Sequence, residues 1–136
     1  MANRVLDSWA LMAFFEDESA AEAVEELLDQ ASRGKHKLFL TSINWAEVYY
    51  STMRETSQDV AEQHAQIIAS LPIEIVGIGD DLKLARQAAI YKATYRLSLA
   101  DAFAAALAKE KKAELVTGDQ EFKALDKEIK MLWLTH

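Results

Sequence analysis

Short apolar runs alternate with longer stretches of helical periodicity along most of the chain. Five of the short runs read as strands. Val5-Leu6, with the residues just before, ends at Asp7-Ser8, and Leu38-Phe39-Leu40 is stopped by Thr41-Ser42. Ile73-Glu74-Ile75-Val76 is alternating and β-branched, Glu114-Leu115-Val116 is compact and apolar, and a last run lies around Ile129 to Leu134.

The intervening stretches read as helices. Trp9 to Phe15 is almost wholly apolar and suits a buried helix or an interface. Asp17-Glu18-Ser19 opens a helix through about Ser32, with Ala23, Leu27, Gln30 and Ala31 along one face, and Arg33-Gly34 ends it. Thr41 or Ser42 caps the helix from Ile43 to about Glu55, whose apolar residues Trp45, Val48, Tyr49, Tyr50 and Met53 fall on more than one side. Ser57 starts a helix that ends before Pro72. Gly77 and Gly79 loosen the chain before Asp80-Asp81, which opens a helix to about Tyr95 carrying Leu84, Ala88, Tyr91 and Tyr95 on one face. Ala100 to Lys112 is alanine-rich, with Phe103 and Leu107 four apart, as a tightly packed helix requires. Thr117-Gly118-Asp119 forms a turn, followed by a short helix near Gln120 to Asp126.

Strands alternating with helices predict an α/β fold: three layers, α/β/α, around a mostly parallel five-stranded sheet. No repeat, low-complexity segment or linker interrupts the 136 residues, so one domain over 1–136 is expected. With no cysteine, disulfides and thiolate metal sites are excluded, and a reducing compartment is expected. The stretch from Met1 to Glu18 lacks the features of a signal peptide, and no apolar run reaches the ~20 residues of a membrane span. A cytoplasmic protein with no membrane partner is expected.

The net charge of −7 argues against broad affinity for nucleic acid, yet a nuclease whose metal site is built from acids stays compatible with it. The basic clusters Arg33–Lys37, Lys83 with Arg86, Lys92 with Arg96, and Lys109–Lys112 read as solvated surface. His36, His64 and His136 also read as surface, and none is placed to act as a base.

In a parallel sheet every strand-to-helix turn emerges at one edge, where open α/β sheets bind ligands. Asp7 follows the first strand and Asp119 the fourth; Asp101 opens a helix, and Glu47 lies about one turn into another. Two such charges ~6 Å apart repel by roughly 3 kcal/mol at an effective dielectric of about 20. A helix N-terminus returns only about 0.3–1 kcal/mol. A divalent cation would relieve the repulsion, and all-oxygen ligation suits Mg²⁺ or Mn²⁺. Each acid also has a plain structural reading. Asp101 completes an S-x-x-[DE] capping box with Ser98, Asp119 is an N-cap, and Asp7 is a turn residue. Glu47 fits the cap explanation worst, being too far inside its helix, and Asn44, three residues earlier on the same face, looks like a polar neighbour that holds it.

Val5-Leu6-Asp7-Ser8, Asn44-Trp45-Ala46-Glu47, Leu97-Ser98-Leu99-Ala100-Asp101-Ala102 and Val116-Thr117-Gly118-Asp119-Gln120-Glu121-Phe122 resemble the successive motifs of PIN domains. In order and spacing they are similar to VapC-type toxins of bacterial and archaeal toxin–antitoxin pairs, over nearly the whole chain. The resemblance implies a metal-dependent endoribonuclease with Asp7, Glu47, Asp101 and Asp119 as its catalytic, metal-binding acids. Glu121 stands where many relatives carry a further acid, and Thr117 and Ser8 match positions that orient the acids. It further implies Mg²⁺ as cofactor, with Mn²⁺ as a substitute, and hydrolysis that leaves a 5′-phosphate and a 3′-hydroxyl on RNA. A cognate antitoxin is the implied partner. The surplus of apolar residues on the helices Trp9–Phe15 and Ile43–Glu55 is expected to pair two copies as a homodimer or to hold an antitoxin segment, unless they are ordinary core. The alternative is a catalytically silent PIN fold that acts through protein or RNA contacts. A phosphatase or phosphoacceptor is disfavoured because Trp9 occupies the place of the second aspartate of dehalogenase-like phosphatases, and Thr117-Gly118 the place of the receiver lysine.

Overall fold

The computed structural model describes residues 2–16 and 19–135. In chain order its elements are β1 (Ala2–Leu6), α1 (Ser8–Phe15), α2 (Ala21–Ser32), β2 (His36–Thr41), α3 (Ser42–Glu55), α4 (Gln58–Ser70) and β3 (Ile73–Val76). These are followed by α5 (Lys83–Tyr95), α6 (Leu99–Lys111), β4 (Glu114–Thr117), a 3-10 helix (Gln120–Leu125) and β5 (Met131–Trp133). The five strands lie in the order β3-β2-β1-β4-β5, and every neighbouring pair is parallel. The fold is the three-layer α/β/α arrangement.

The central strands carry short uninterrupted apolar runs, Val5-Leu6, Leu38-Phe39-Leu40 and Leu115-Val116, because both faces of the sheet are covered there. Val5, Phe39 and Leu115 pack into the core beneath α5, α6 and the 3-10 helix. Their neighbours Leu6, Leu38, Leu40 and Val116 point the other way, into the core made with α1, α2, α3 and α4. Helix α6 is buried at nine consecutive positions, Ala100 to Ala108. It packs against α5, α3 and the strands β1, β2 and β4, so no side faces water. Alanine at six of those positions permits this approach, and a larger side chain there would cost about 1–3 kcal/mol through overpacking.

Several sequence expectations shift. Helix α2 begins at Ala21, and its N-cap Ala20 makes no side-chain cap bond. Ser19 lies in the preceding turn, and Asp17 and Glu18 fall outside the described residues. The buried face of α2 is Ala21, Val24, Leu27 and Leu28, so Ala23 is exposed. Helix α5 starts at Lys83 rather than Asp80, because Gly79 and Leu82 both take positive φ (83° and 63°) and hold the chain in a turn. Asp81 caps that start from one residue further out, its Oδ1 accepting from Lys83 N at 3.1 Å. His36 is not a surface residue, and His64 is half-buried. His36 is buried between Leu27 and Arg4, and His64 stacks on Phe15 with ring centroids 3.9 Å apart. His136 lies outside the described residues. Among the described residues no helix is long and apolar enough to cross a membrane.

Candidate metal centre

The strand order reverses between β1 and β4, the place where open parallel sheets form a crevice at their C-terminal edge. Leu6 is in register with Val116, which sets Asp7 beside Thr117 at that edge. Asp7 is fully buried. Its Oδ1 accepts from Ala10 N at 2.8 Å, capping α1, and its Oδ2 accepts from the Thr117 hydroxyl. Thr117 Oγ1 in turn accepts from Asp119 N at 3.0 Å, and Asp119 Oδ1 accepts from Glu121 N at 2.9 Å. One chain of hydrogen bonds therefore runs from the end of β1 through the end of β4 into the 3-10 helix.

Helix α6 starts at this edge and runs away from it, back to the start of β4 at the opposite end of the sheet. Its N-terminus carries Asp101, whose backbone N–H donates to Ser98 Oγ at 3.2 Å. The cap is thus made by the serine, whose hydroxyl also acts on the Asp101 carboxylate. Oxygens of Asp101, Asp119 and Glu121 lie within 4.8 Å of one another. At that separation one ionised pair repels by roughly 3 kcal/mol at an effective dielectric of about 20, and water around the exposed Glu121 screens its share. Asp7 and Glu47 stand outside this trio of oxygens, but both acids flank it electrically. The charges of Asp119, Glu47 and Glu121 each act on Asp101, and those of Asp101 and Asp119 act on Asp7.

Burial is the largest influence on both titrations. It pushes the Asp7 carboxyl up to about 8, against the lowering effect of its Thr117 and Ala10 hydrogen bonds, and the Asp101 and Asp119 charges add to the rise. Asp101 is raised to about 6 by burial, opposed by the Ser98 hydroxyl and assisted by the neighbouring acids. The ion pairs among the described residues, Arg4–Glu114, Arg33–Asp29 and Lys130–Glu114, involve none of the five acids. An all-carboxylate donor set with no internal counter-charge fits a hard divalent cation.

The remaining polar residues hold the frame. Asn44 is fully buried; its Nδ2 donates to Ser8 Oγ at 3.0 Å and to Ala100 O at 3.2 Å, while its Oδ1 accepts from Thr41 Oγ1. It ties the β1–α1 corner and α3 to the start of α6, and it does not hold Glu47. Glu47 is instead approached by the Tyr50 hydroxyl, at 3.4 Å from Oε2. Ser8 bonds to Asn44 and not to an acid. Thr117 contacts Asp7 and the Asp119 amide directly. Trp9 was not singled out by its chemistry in the sequence, yet its ring lies against Gly118 in the turn between Thr117 and Asp119. The bulk at position 9 and the glycine at 118 are both visible in the sequence, but only the β1–β4 pairing brings them together. A concavity of about 680 Å³ lies at the opposite end of the sheet, lined in part by Asn3, Lys111, Lys112, Glu114 and Lys130, away from these acids.

The chain is similar in structure to VapBC2 from Rickettsia felis bound to a promoter DNA fragment, with a TM-score of 0.75 and 18% identity over 98% of this chain and 99% of that one. It is also similar to Mycobacterium tuberculosis VapC20, a sarcin–ricin loop cleaving toxin, with a TM-score of 0.72 and 15% identity over 96% and 98% of the two chains. For VapBC-1 from nontypeable Haemophilus influenzae the TM-score is 0.71 and the identity 14%, over 96% and 97%. At such identities the likeness is one of fold. No curated protein matches the chain by sequence. The PIN domain family model matches residues 4–128, and the chain belongs to the PIN domain family.

Proposed function

We propose that the protein is a divalent-cation-dependent endoribonuclease and the toxin of a toxin–antitoxin pair. The observation that carries this reading is the trio Asp101, Asp119 and Glu121, whose oxygens converge within 4.8 Å at the sheet edge with no cationic side chain among their ion-pair partners. Membership of the PIN family and a fold shared with a toxin that cleaves the sarcin–ricin loop support it.

Asp101, Asp119 and Glu121 would hold the cation, Mg²⁺ or Mn²⁺, with Asp7 and Glu47 near enough to interact electrically with Asp101. A cation bound there supplies Lewis acidity, which stabilises charge on the scissile phosphate and makes water more acidic. The protein's own part is orientation. Thr117 and Ala10 fix the Asp7 carboxylate, Thr117 fixes the Asp119 backbone, and Ser98 fixes the start of α6. Water adds to phosphorus, the bond to the 3′ oxygen breaks, and that oxygen leaves with a proton. His36 and His64 are outside this scheme, since both are held in other contacts. Antitoxin binding and homodimer formation are assigned to the apolar side of α3, where Tyr50 and Met53 remain 48% and 46% exposed.

The test is to express the protein without a partner in a bacterial host and sequence RNA 5′ ends. Growth arrest with defined cuts is expected. A harmless protein that cuts nothing would favour the silent binding module.

A further inference from the structure

Gly118 offers the observation that goes beyond the acids themselves. A Cβ built on it would lie 2.3 Å from Trp9 Cη2 and 2.5 Å from both Cζ2 and Cζ3, far inside the contact distance of real atoms. Its φ is not in the left-handed region, where only Gly34 and Gly79 are found among the described glycines. Backbone conformation therefore does not require a glycine at this position; the Trp9 ring does. Asp7 and Trp9, two residues apart at the start of α1, grip the same turn at two points. Asp7 takes the Thr117 hydroxyl, and Trp9 fills the space over the next residue. Asp119 and Glu121 follow directly, so the placement of two of the three converging oxygens depends on that grip.

We infer that Trp9 is a positioning residue for the acidic centre, its indole setting the Thr117–Asp119 turn at the height where Asp119 and Glu121 meet Asp101. This rests on the reading of those acids as a cation site. It assigns to α1 a part in the site that no acid on that helix accounts for. The ring acts by bulk: it holds the backbone of the turn against the end of β1 and denies it a second resting position. Removing outer groups that hold metal ligands by hydrogen bonds typically changes metal affinity about 10- to 100-fold, and a loss toward that range is expected when the bulk of Trp9 is removed.

The experiment measures Mn²⁺ affinity by calorimetry, together with melting temperature, for wild type, Trp9→Ala, Trp9→Phe, Gly118→Ala and the double variant Trp9→Ala/Gly118→Ala. Leu11→Ala, a buried change on the same helix away from the turn, serves as the control for simple destabilisation. Trp9→Ala should weaken Mn²⁺ binding about tenfold or more, with Trp9→Phe intermediate. Leu11→Ala should lower the melting temperature without a comparable loss of affinity. Gly118→Ala should be destabilising in the wild-type background and nearly neutral when Trp9 is alanine, since the obstructing ring is then absent. Equal Mn²⁺ affinity in wild type and Trp9→Ala overturns the inference and leaves the proposed function standing. So does a Gly118→Ala cost that is the same in both backgrounds. Failure of the wild type to bind Mn²⁺ at all overturns the proposed centre and the inference together.

Discussion

At the N-terminal end of the sheet Glu114 meets two cations, whereas at the C-terminal end Asp101, Asp119 and Glu121 meet no cationic side chain in an ion pair among the described residues. Glu114 opens β4 with its Oε1 3.0 Å from Arg4 Nε and its Oε2 3.9 Å from Lys130 Nζ. Arg4 also reaches His36, Nη1 to Nδ1 at 2.7 Å, while His36 Nε2 donates to Leu27 O at 2.9 Å. That pattern makes Nδ1 the acceptor and the ring neutral, which agrees with a His36 pKa lowered by burial and then by Arg4. At this end Arg4, Glu114 and Lys130 answer one another's charges. At the other end the same fold gathers carboxylates without such an answer and raises the pKa of the two most buried. The contrast teaches where the protein has balanced its own electrostatics and where it relies on something from outside.

The strongest way to break this contrast is to exchange the two ends in a cleavage assay. Asp119→Asn should reduce RNA cleavage by orders of magnitude, because charge stabilisation at the phosphate depends on the cation it helps to hold. Glu114→Gln should leave cleavage close to wild type. Similar losses in the two variants would remove the distinction.

The pH dependence sharpens it further. Asp7 and Asp101 have folded pKa values above that of an unfolded aspartate, so the folded state binds more protons between about pH 4 and 8. The stability they contribute is fully present below pH 4 and is lost as pH rises, through about 6 for Asp101 and about 8 for Asp7. Chelator-treated protein should melt at a lower temperature at pH 8 than at pH 5, and Mg²⁺ should raise the melting temperature more at pH 8, where it displaces fewer protons. Asp7→Asn can still accept the Ala10 hydrogen bond and should flatten this slope. An unchanged slope in Asp7→Asn would show that its burial is relieved by other means.

Smaller differences separate the acids themselves. Glu121→Gln should weaken Mn²⁺ binding more than Glu47→Gln, since only Glu121 is in the converging trio; calorimetry giving the reverse order would move the centre toward α3. The smallest effect is expected from Lys130→Gln on stability, about 1 kcal/mol or less by chemical denaturation, because Lys130 is mostly exposed, lies 3.9 Å from Glu114, and leaves that acid paired with Arg4.

Much of the fold was legible because strands buried on both faces leave uninterrupted apolar runs, and the helices between them carry side-chain caps. Thr41, Ser57 and Ser98 cap α3, α4 and α6 as read from sequence. The start of α2 was misread because Ala20 offers no cap signal, and that of α5 because the turn is made by a leucine with positive φ. The edge carrying the acids followed from parallel topology alone. Their detailed arrangement did not. Asp7, the plainest acid of the first motif, is turned inward by two hydrogen bonds, while Glu121, a residue beyond the turn, swings into the trio. Side-chain direction and strand register decide both, and neither leaves a periodic trace in the sequence. Asn44 was visible as the partner of an acid but serves the backbone of α6 instead, a contact 56 residues away.

The most direct test of the central claim uses Asp101→Asn, assayed for RNA cleavage and melted with and without Mg²⁺. The backbone N–H that bonds to Ser98 survives the substitution, so the cap of α6 is kept and only the charge is removed. The account predicts that cleavage falls by orders of magnitude and that the Mg²⁺-induced rise in melting temperature is lost. The metal-free variant should be as stable as wild type or more so, because one repelling charge is gone. An Asp101→Asn protein that still cuts RNA at near wild-type rate and is still stabilised by Mg²⁺ would contradict it.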